Sequence, residues 1–187
     1  MSRVLILYGT TDGHTMKIAS ALAGVLTWEG SRADVIDAAR VTPDVRPEDY
    51  DGILVAASIH AGGYQRAVRR WVRKHAGALN RRPGAFVSVC LGILERRPEA
   101  QREVRAVMDR FLERGGWQPA LTKTVAGALP YTKYGWLKKW IMQRIVAKAG
   151  GDTDTSRDYE YTDWDDLRAF ARGFARQLEA VYAGAVS

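Results

Sequence analysis

With a single cysteine, Cys90, this chain of 187 residues forms no internal disulfide, and a reducing compartment is expected. No apolar run approaches the roughly 18 residues that a membrane span needs. Val4-Leu5-Ile6-Leu7 is too short for the apolar region of a secretory signal and runs straight into Gly9-Thr10-Thr11-Asp12-Gly13. Internal repeats and low-complexity tracts are absent. The Gly-Lys-Ser/Thr of a nucleoside-triphosphate loop is missing, and Gly9 and Gly13 do not make the Gly-x-Gly-x-x-Gly spacing of a dinucleotide fold. No carboxylate pair or nucleophilic constellation stands out. No interleaved aromatic motif or recognition helix speaks for nucleic acid, and none is expected as a partner.

What remains is a chain of single-domain length, expected to fold as one unit over 1–187. Its hydrophobic fraction of 47% suffices for a core. A net charge of +7 and a pI near 9.7 favour acidic partners such as anionic lipid, nucleic acid or a polyanionic small molecule, a solvated basic surface being the alternative.

Apolar runs predict buried strands at Val4–Tyr8, Ala33–Asp37, Ile53–Ala57, Ala85–Cys90 and Leu121–Ala126. Helical spacing predicts helices at Thr15–Trp28, Tyr64–His75, Glu99–Arg114 and Asp165–Val181. Gly115-Gly116 is placed for a left-handed stop, Thr162 or Asp163 for a cap, and His75 for a helix C-terminus that favours a cation. Strand–helix alternation implies an α/β fold, a doubly wound five-stranded parallel sheet covered on both faces, with ligands outside the carboxyl ends of the strands. The stretch from Gly127 to about Thr155 is too long for a plain loop and is rich in aromatic and basic residues.

After the first strand, Gly9-Thr10-Thr11-Asp12-Gly13-His14-Thr15 leads into a helix. Its glycines and hydroxyls turn donors toward one anion, and the helix N-terminus adds partial positive charge. A monophosphate held without metal suits this lysine-free cradle. The loop resembles the FMN phosphate loop of the flavodoxin superfamily, with Asp12 in place of the usual threonine. Asp-Gly-x-Thr after a first-strand threonine is similar to the flavodoxin-type, menaquinone-dependent protoporphyrinogen dehydrogenases of bacteria. Ala56-Ala57-Ser58-Ile59-His60 with Gly62-Gly63-Tyr64, Phe86 to Leu91, Ala126 to Leu129, Gly150 to Thr155 and Tyr161-Thr162-Asp163-Trp164 extend the resemblance over about 3–175.

The resemblance implies a flavodoxin-like fold with an FMN site. Its phosphate end would be Thr10, Thr11, Asp12, Gly13, His14 and Thr15, with His14 contributing its backbone N–H. Its ring would lie between Ser58-Ile59-His60 and Ser88-Val89-Cys90-Leu91-Gly92. Cys90 stands where the family carries Asn and reads as a small buried thiol. Tyr64 and His60 are candidates to cover one side of the ring, a solvated loop being the alternative for His60. The implied activity is oxidation of protoporphyrinogen IX to protoporphyrin IX in haem biosynthesis, with electrons passed to menaquinone or another quinone. An electron-carrying flavodoxin, usually acidic, and an FMN-dependent NAD(P)H:quinone reductase are the alternatives.

Trp136 to Lys148 has helical periodicity, with Leu137, Trp140, Ile141 and Ile145 on one face and Lys138, Lys139 and Arg144 on the rest. Such a segment, about Tyr131–Lys148, suits a membrane interface or a helix packed on the domain. The resemblance favours a cytoplasmic protein, peripheral at the inner face of the membrane. Arg96, Arg97, Lys133, Lys138 and Lys139 are candidates to pair with the substrate's propionates.

Overall fold

The computed structural model describes residues 1–95, 97–129 and 156–183. Five parallel strands form the sheet: β1 (Arg3–Gly9), β2 (Arg32–Asp37), β3 (Gly52–Ser58), β4 (Gly84–Val89) and β5 (Leu121–Val125), in the order β2-β1-β3-β4-β5. Four helices cover it: α1 (His14–Trp28), α2 (Arg66–Leu79), α3 (Pro98–Gly115) and α4 (Trp164–Ala183). The order reverses between β1 and β3, so the crevice favoured for ligands opens at the carboxyl ends of those strands.

Strand periodicity sorts the core into two layers. Val4 and Ile6 of β1, Leu54 and Ala56 of β3, and Ala85 and Val87 of β4 pack under α1 and α4. Leu5, Leu7, Ile53, Val55 and Phe86 point the other way, under α2 and α3. This explains why β1, β3 and β4 read as near-continuous apolar runs. The edge strand β2 shows no fully buried position, and β5 buries only Val125. Charge on edge strands discourages pairing with other chains, and Lys123 on β5 is held by Asp166 at 2.7 Å.

Glycines make two of the joins. Gly116, at φ +67°, ends α3 in the left-handed conformation expected of that pair. At Gly9 a Cβ would fall 2.4 Å from Val68 Cγ2, so only glycine lets β1 pass under α2. Asp163 caps α4, its carboxylate accepting from the Asp166 N–H at 2.9 Å, whereas Thr162 is engaged elsewhere. His75 lies inside α2 rather than at its end, because the helix continues to Leu79. Its ring packs against Trp71, and burial lowers its pKa, so the expected helix-end cation is corrected to a largely neutral packing group.

The insertion leaves and rejoins the fold through a short antiparallel ribbon, β6 (Ala128–Leu129) with β7 (Tyr159–Glu160). The expected basic amphipathic segment at 131–148, with Lys133, Lys138 and Lys139, lies outside the described residues, as does Arg96. No helix among the described residues is long and apolar enough to cross a membrane.

Candidate flavin site

A cleft of about 250 Å³ opens at the carboxyl edge of the sheet. Thr10, Asp12, His14 and Thr15 line it from the β1–α1 loop, Ser58, Ile59, His60 and Ala61 from the β3 end, and Val89, Cys90, Leu91 and Gly92 from the β4 end. Gly127 and Ala128 complete the lining from the β5 end.

At the phosphate-like end, Gly13 takes φ +93° and its N–H donates to Thr10 Oγ1 at 2.9 Å, which folds the loop back on itself. No side chain caps α1, so the first N–H groups of the helix keep their hydrogen-bonding capacity. Thr15, buried, adds a hydroxyl. Uncapped helix N–H groups with threonine hydroxyls form an anion-binding donor set.

His14 donates from Nε2 to Thr162 Oγ1 at 2.7 Å, and the Thr162 hydroxyl donates in turn to the Ala126 carbonyl at 2.7 Å. That chain of donors sets the tautomer: the proton of neutral His14 sits on Nε2. Nδ1 faces Glu160 at 3.9 Å. Glu160 is gripped by Lys17 Nζ at 2.6 Å and by the Trp164 indole N–H at 2.8 Å. Burial pushes the His14 pKa below its ordinary 6.5, and the Glu160 charge only partly offsets this. The Lys17 ammonium, Glu160's first hydrogen-bond partner, holds that carboxyl below its usual range. This network fastens the ribbon at the root of the insertion to the first turn of α1.

The ring end lies between two strand extensions. The Ile59 N–H donates to the Val89 carbonyl and the Cys90 N–H to the Val125 carbonyl, both at 2.9 Å, so pairing continues past the sheet and fixes the loop spacing. His60 and Gly63 exchange backbone hydrogen bonds of 2.8 and 3.0 Å around Ala61 and Gly62, whose φ values are +47° and +74°. Two positive φ values in succession make a tight reversal of the I′ kind. Alanine in that conformation is uncommon and marks a position held by its surroundings. Cys90 Sγ accepts from the Gly92 N–H at 3.2 Å, and burial raises the thiol's pKa, keeping it protonated.

Four of the expected residues stand outside the cleft lining. Tyr64 does not cover the cleft: it is buried against Phe86 and Phe111, with its hydroxyl 2.7 Å from Ser88 Oγ. Ser88, fully buried in that bond, is not in the cleft lining. Thr11 turns out to meet Gln65 at 3.2 Å instead. Gly13 shapes the loop without lining the cleft. Ala61, Gly127 and Ala128 were not singled out for the site. The signal that could have found the last two is adjacency of the fourth and fifth strands, whose carboxyl ends share one edge.

Comparison with known proteins decides the family. The flavodoxin-domain family model matches residues 5–156. Over 174 residues the chain is 38% identical to protoporphyrinogen IX dehydrogenase (quinone) of Escherichia coli, covering 92% of this chain and 94% of that one. The chain belongs to this family. A Leishmania major dehydrogenase of the same name is 36% identical over 174 residues, 92% of this chain and 74% of its own. Among solved structures, oxidised flavodoxin 1 of Bacillus cereus superposes with a TM-score of 0.58 at 16% identity, over 94% of this chain and 98% of that one. At that identity the likeness establishes the flavodoxin fold. For a protoporphyrinogen IX dehydrogenase the donor set described above fits a flavin phosphate at the threonine loop. The strand-end loops, with an apolar residue from each in Ile59 and Leu91, fit a flat ring between them.

Proposed function

We propose that the chain oxidises protoporphyrinogen IX to protoporphyrin IX with FMN as cofactor, and that the electrons pass to a quinone, menaquinone being the favoured acceptor. The carrying observation is the cleft itself: anion donors at one end and paired strand extensions at the other, in a chain of the dehydrogenase family. When bound, the flavin supplies the acceptor for hydride equivalents and returns them to quinone. The protein's own work is placement. Thr10, Thr15 and the first N–H groups of α1 would hold the phosphate. The backbone of 58–61 and 89–92 would set the ring's height and exclude water from its inner edge. His14, neutral and locked to Thr162, orients the loop rather than moving a proton to substrate. Protons leaving the substrate's pyrrole nitrogens go to solvent.

Peripheral attachment to the inner membrane face belongs to the same reading and is supported by the basic charge and the lipid-soluble acceptor. The test is anaerobic: FMN-loaded protein, protoporphyrinogen IX and a soluble menaquinone analogue, followed by porphyrin fluorescence. Quinone-dependent formation of protoporphyrin is expected. A bound flavin that neither takes electrons from the porphyrinogen nor passes them to quinone would reject the dehydrogenase and leave an electron carrier or NAD(P)H-fed reductase.

A further inference from the structure

A second cavity, about 590 Å³, lies between α2 and α3. Arg66, Arg69, Arg70 and Arg73 line it from α2, and Arg110 and Arg114 face them from α3. Among the described residues no ion pair engages any of these six guanidinium groups, and Arg110 Nε reaches only the Ala106 carbonyl, at 3.4 Å. No carboxylate lines the cavity; Asp109, whose charge acts on Tyr64, is not among its walls. Three pairs stand at i,i+4 with like charge, Arg66 and Arg70, Arg69 and Arg73, Arg110 and Arg114. Such spacing costs helix stability rather than adding to it. The arrangement is satisfied by an anion from outside. Its inner surface is not polar throughout, since Tyr64, Val107 and Phe111 contribute. An occupant with an apolar body and carboxylates at one edge matches both parts, and guanidinium is the side chain suited to bidentate carboxylate recognition.

The position links this cavity to the flavin cleft. In the turn closed by His60 and Gly63, His60 and Ala61 line the cleft, whereas Gly62 and Gly63 line the arginine cavity. We propose that the α2–α3 cavity binds the propionate edge of the tetrapyrrole substrate, so that the macrocycle meets the flavin across that turn. This rests on the reading under Proposed function and deepens it. It also moves the carboxylate partners away from Arg97, which is paired with Glu95. A concave, partly apolar cavity favours a discrete amphipathic ligand over a flat array of lipid headgroups.

The test uses the full FMN-loaded chain, with protoporphyrin IX as a stable fluorescent probe and its dimethyl ester as the control with masked carboxylates. The variant is R69A/R110A, which takes one guanidinium from each wall. Its affinity for protoporphyrin IX is expected to fall on the order of tenfold, the loss of a charge-assisted contact. The ester should bind the wild type no better than the acid binds the variant. In turnover the variant should raise KM with kcat nearly unchanged, the mark of lost binding rather than lost chemistry. An R69K/R110K chain should recover part of the affinity. The unfolding midpoint of R69A/R110A should match or exceed wild type, because repulsion is relieved, and that of R69K/R110K, which keeps the charges, should stay close to wild type. Equal binding of acid and ester, or an unchanged KM in R69A/R110A, overturns the inference while turnover keeps the dehydrogenase standing. Absence of wild-type turnover sinks the dehydrogenase itself. Arginine-dependent binding to phosphatidylglycerol vesicles with porphyrin affinity unaltered would overturn the inference in favour of a lipid-facing role.

Discussion

At the scale of single residues, two buried hydrogen bonds carry distinct consequences. Tyr64 and Ser88 satisfy each other in a buried site, and burial raises the tyrosine's pKa far above its ordinary value. Tyr64→Phe strands the Ser88 hydroxyl and should cost about 1–3 kcal/mol in denaturant unfolding. Adding Ser88→Ala should recover part of that loss. Flavin affinity should hold in both chains, because neither side chain lies along the cleft. His14 differs in being titratable. Its folded pKa is lowered by burial, so the unfolded chain binds more protons and stability rises with pH across the gap. Stability should therefore fall as pH drops below about 6.5, the unfolded value, toward the lower folded one. Glu160 facing it is itself held low, so its own acid loss begins only below 4.5. His14→Gln should flatten the loss between pH 6.5 and 4.5 in urea titrations at fixed pH. His75, also lowered, accounts for the slope that remains.

Among the elements, the strands and helices were largely legible, and the reasons are local. β1, β3 and β4 are buried on both faces and show near-continuous apolar runs. The helices announced themselves through spacing such as Ile18, Leu22 and Leu26. Boundaries slipped where the determining contact is distant. The second helix was expected to begin at Tyr64, but that side chain belongs to the core between Phe86 and Phe111, and the helix starts at Arg66. The arginine cavity could not be read, since Arg66 to Arg73 look like a solvated face until Arg110 and Arg114 are folded against them. Helix-on-sheet packing also sets a sharp test at Gly9. Gly9→Ala places a methyl against Val68 and forces α2 outward, with an expected loss of about 1–3 kcal/mol. The same variant should retain flavin less well, because Gly9 leads into the threonine loop. Equilibrium unfolding and flavin release on dilution measure the two effects separately.

For the molecule as a whole, the strand order β2-β1-β3-β4-β5 concentrates three loops at one edge, and the general rule for open α/β sheets located the cleft without coordinates. Among the residues nominated from Thr10 to Thr15 and from Ser58 to Gly92, Val89 and Cys90 at the end of β4 line the cleft, while Ser88, one residue earlier, is enclosed in the core. A preformed cleft that binds the native state alone stabilises it by mass action. Free FMN at 100 times its dissociation constant should add about 2.7 kcal/mol, or roughly 5–10 °C in Tm for a chain of this size. Differential scanning calorimetry of apo-protein with added FMN measures the shift; riboflavin, lacking the phosphate, should give much less.

The bonds from His14 to Thr162 and from Lys17 to Glu160 close a thermodynamic cycle between the proposed cofactor site and the ribbon. With FMN held at the first turn of α1, as proposed, the cofactor would steady the ribbon, and an ordered ribbon would prepare the loop for flavin, by one and the same factor in each direction. Thr162→Val should therefore weaken FMN binding although Thr162 is not part of the cleft lining. FMN should in turn slow amide exchange at Tyr159–Tyr161 by a comparable factor in the parent chain, and by less in that variant. Loading the cofactor and ordering the ribbon are then two readings of a single equilibrium.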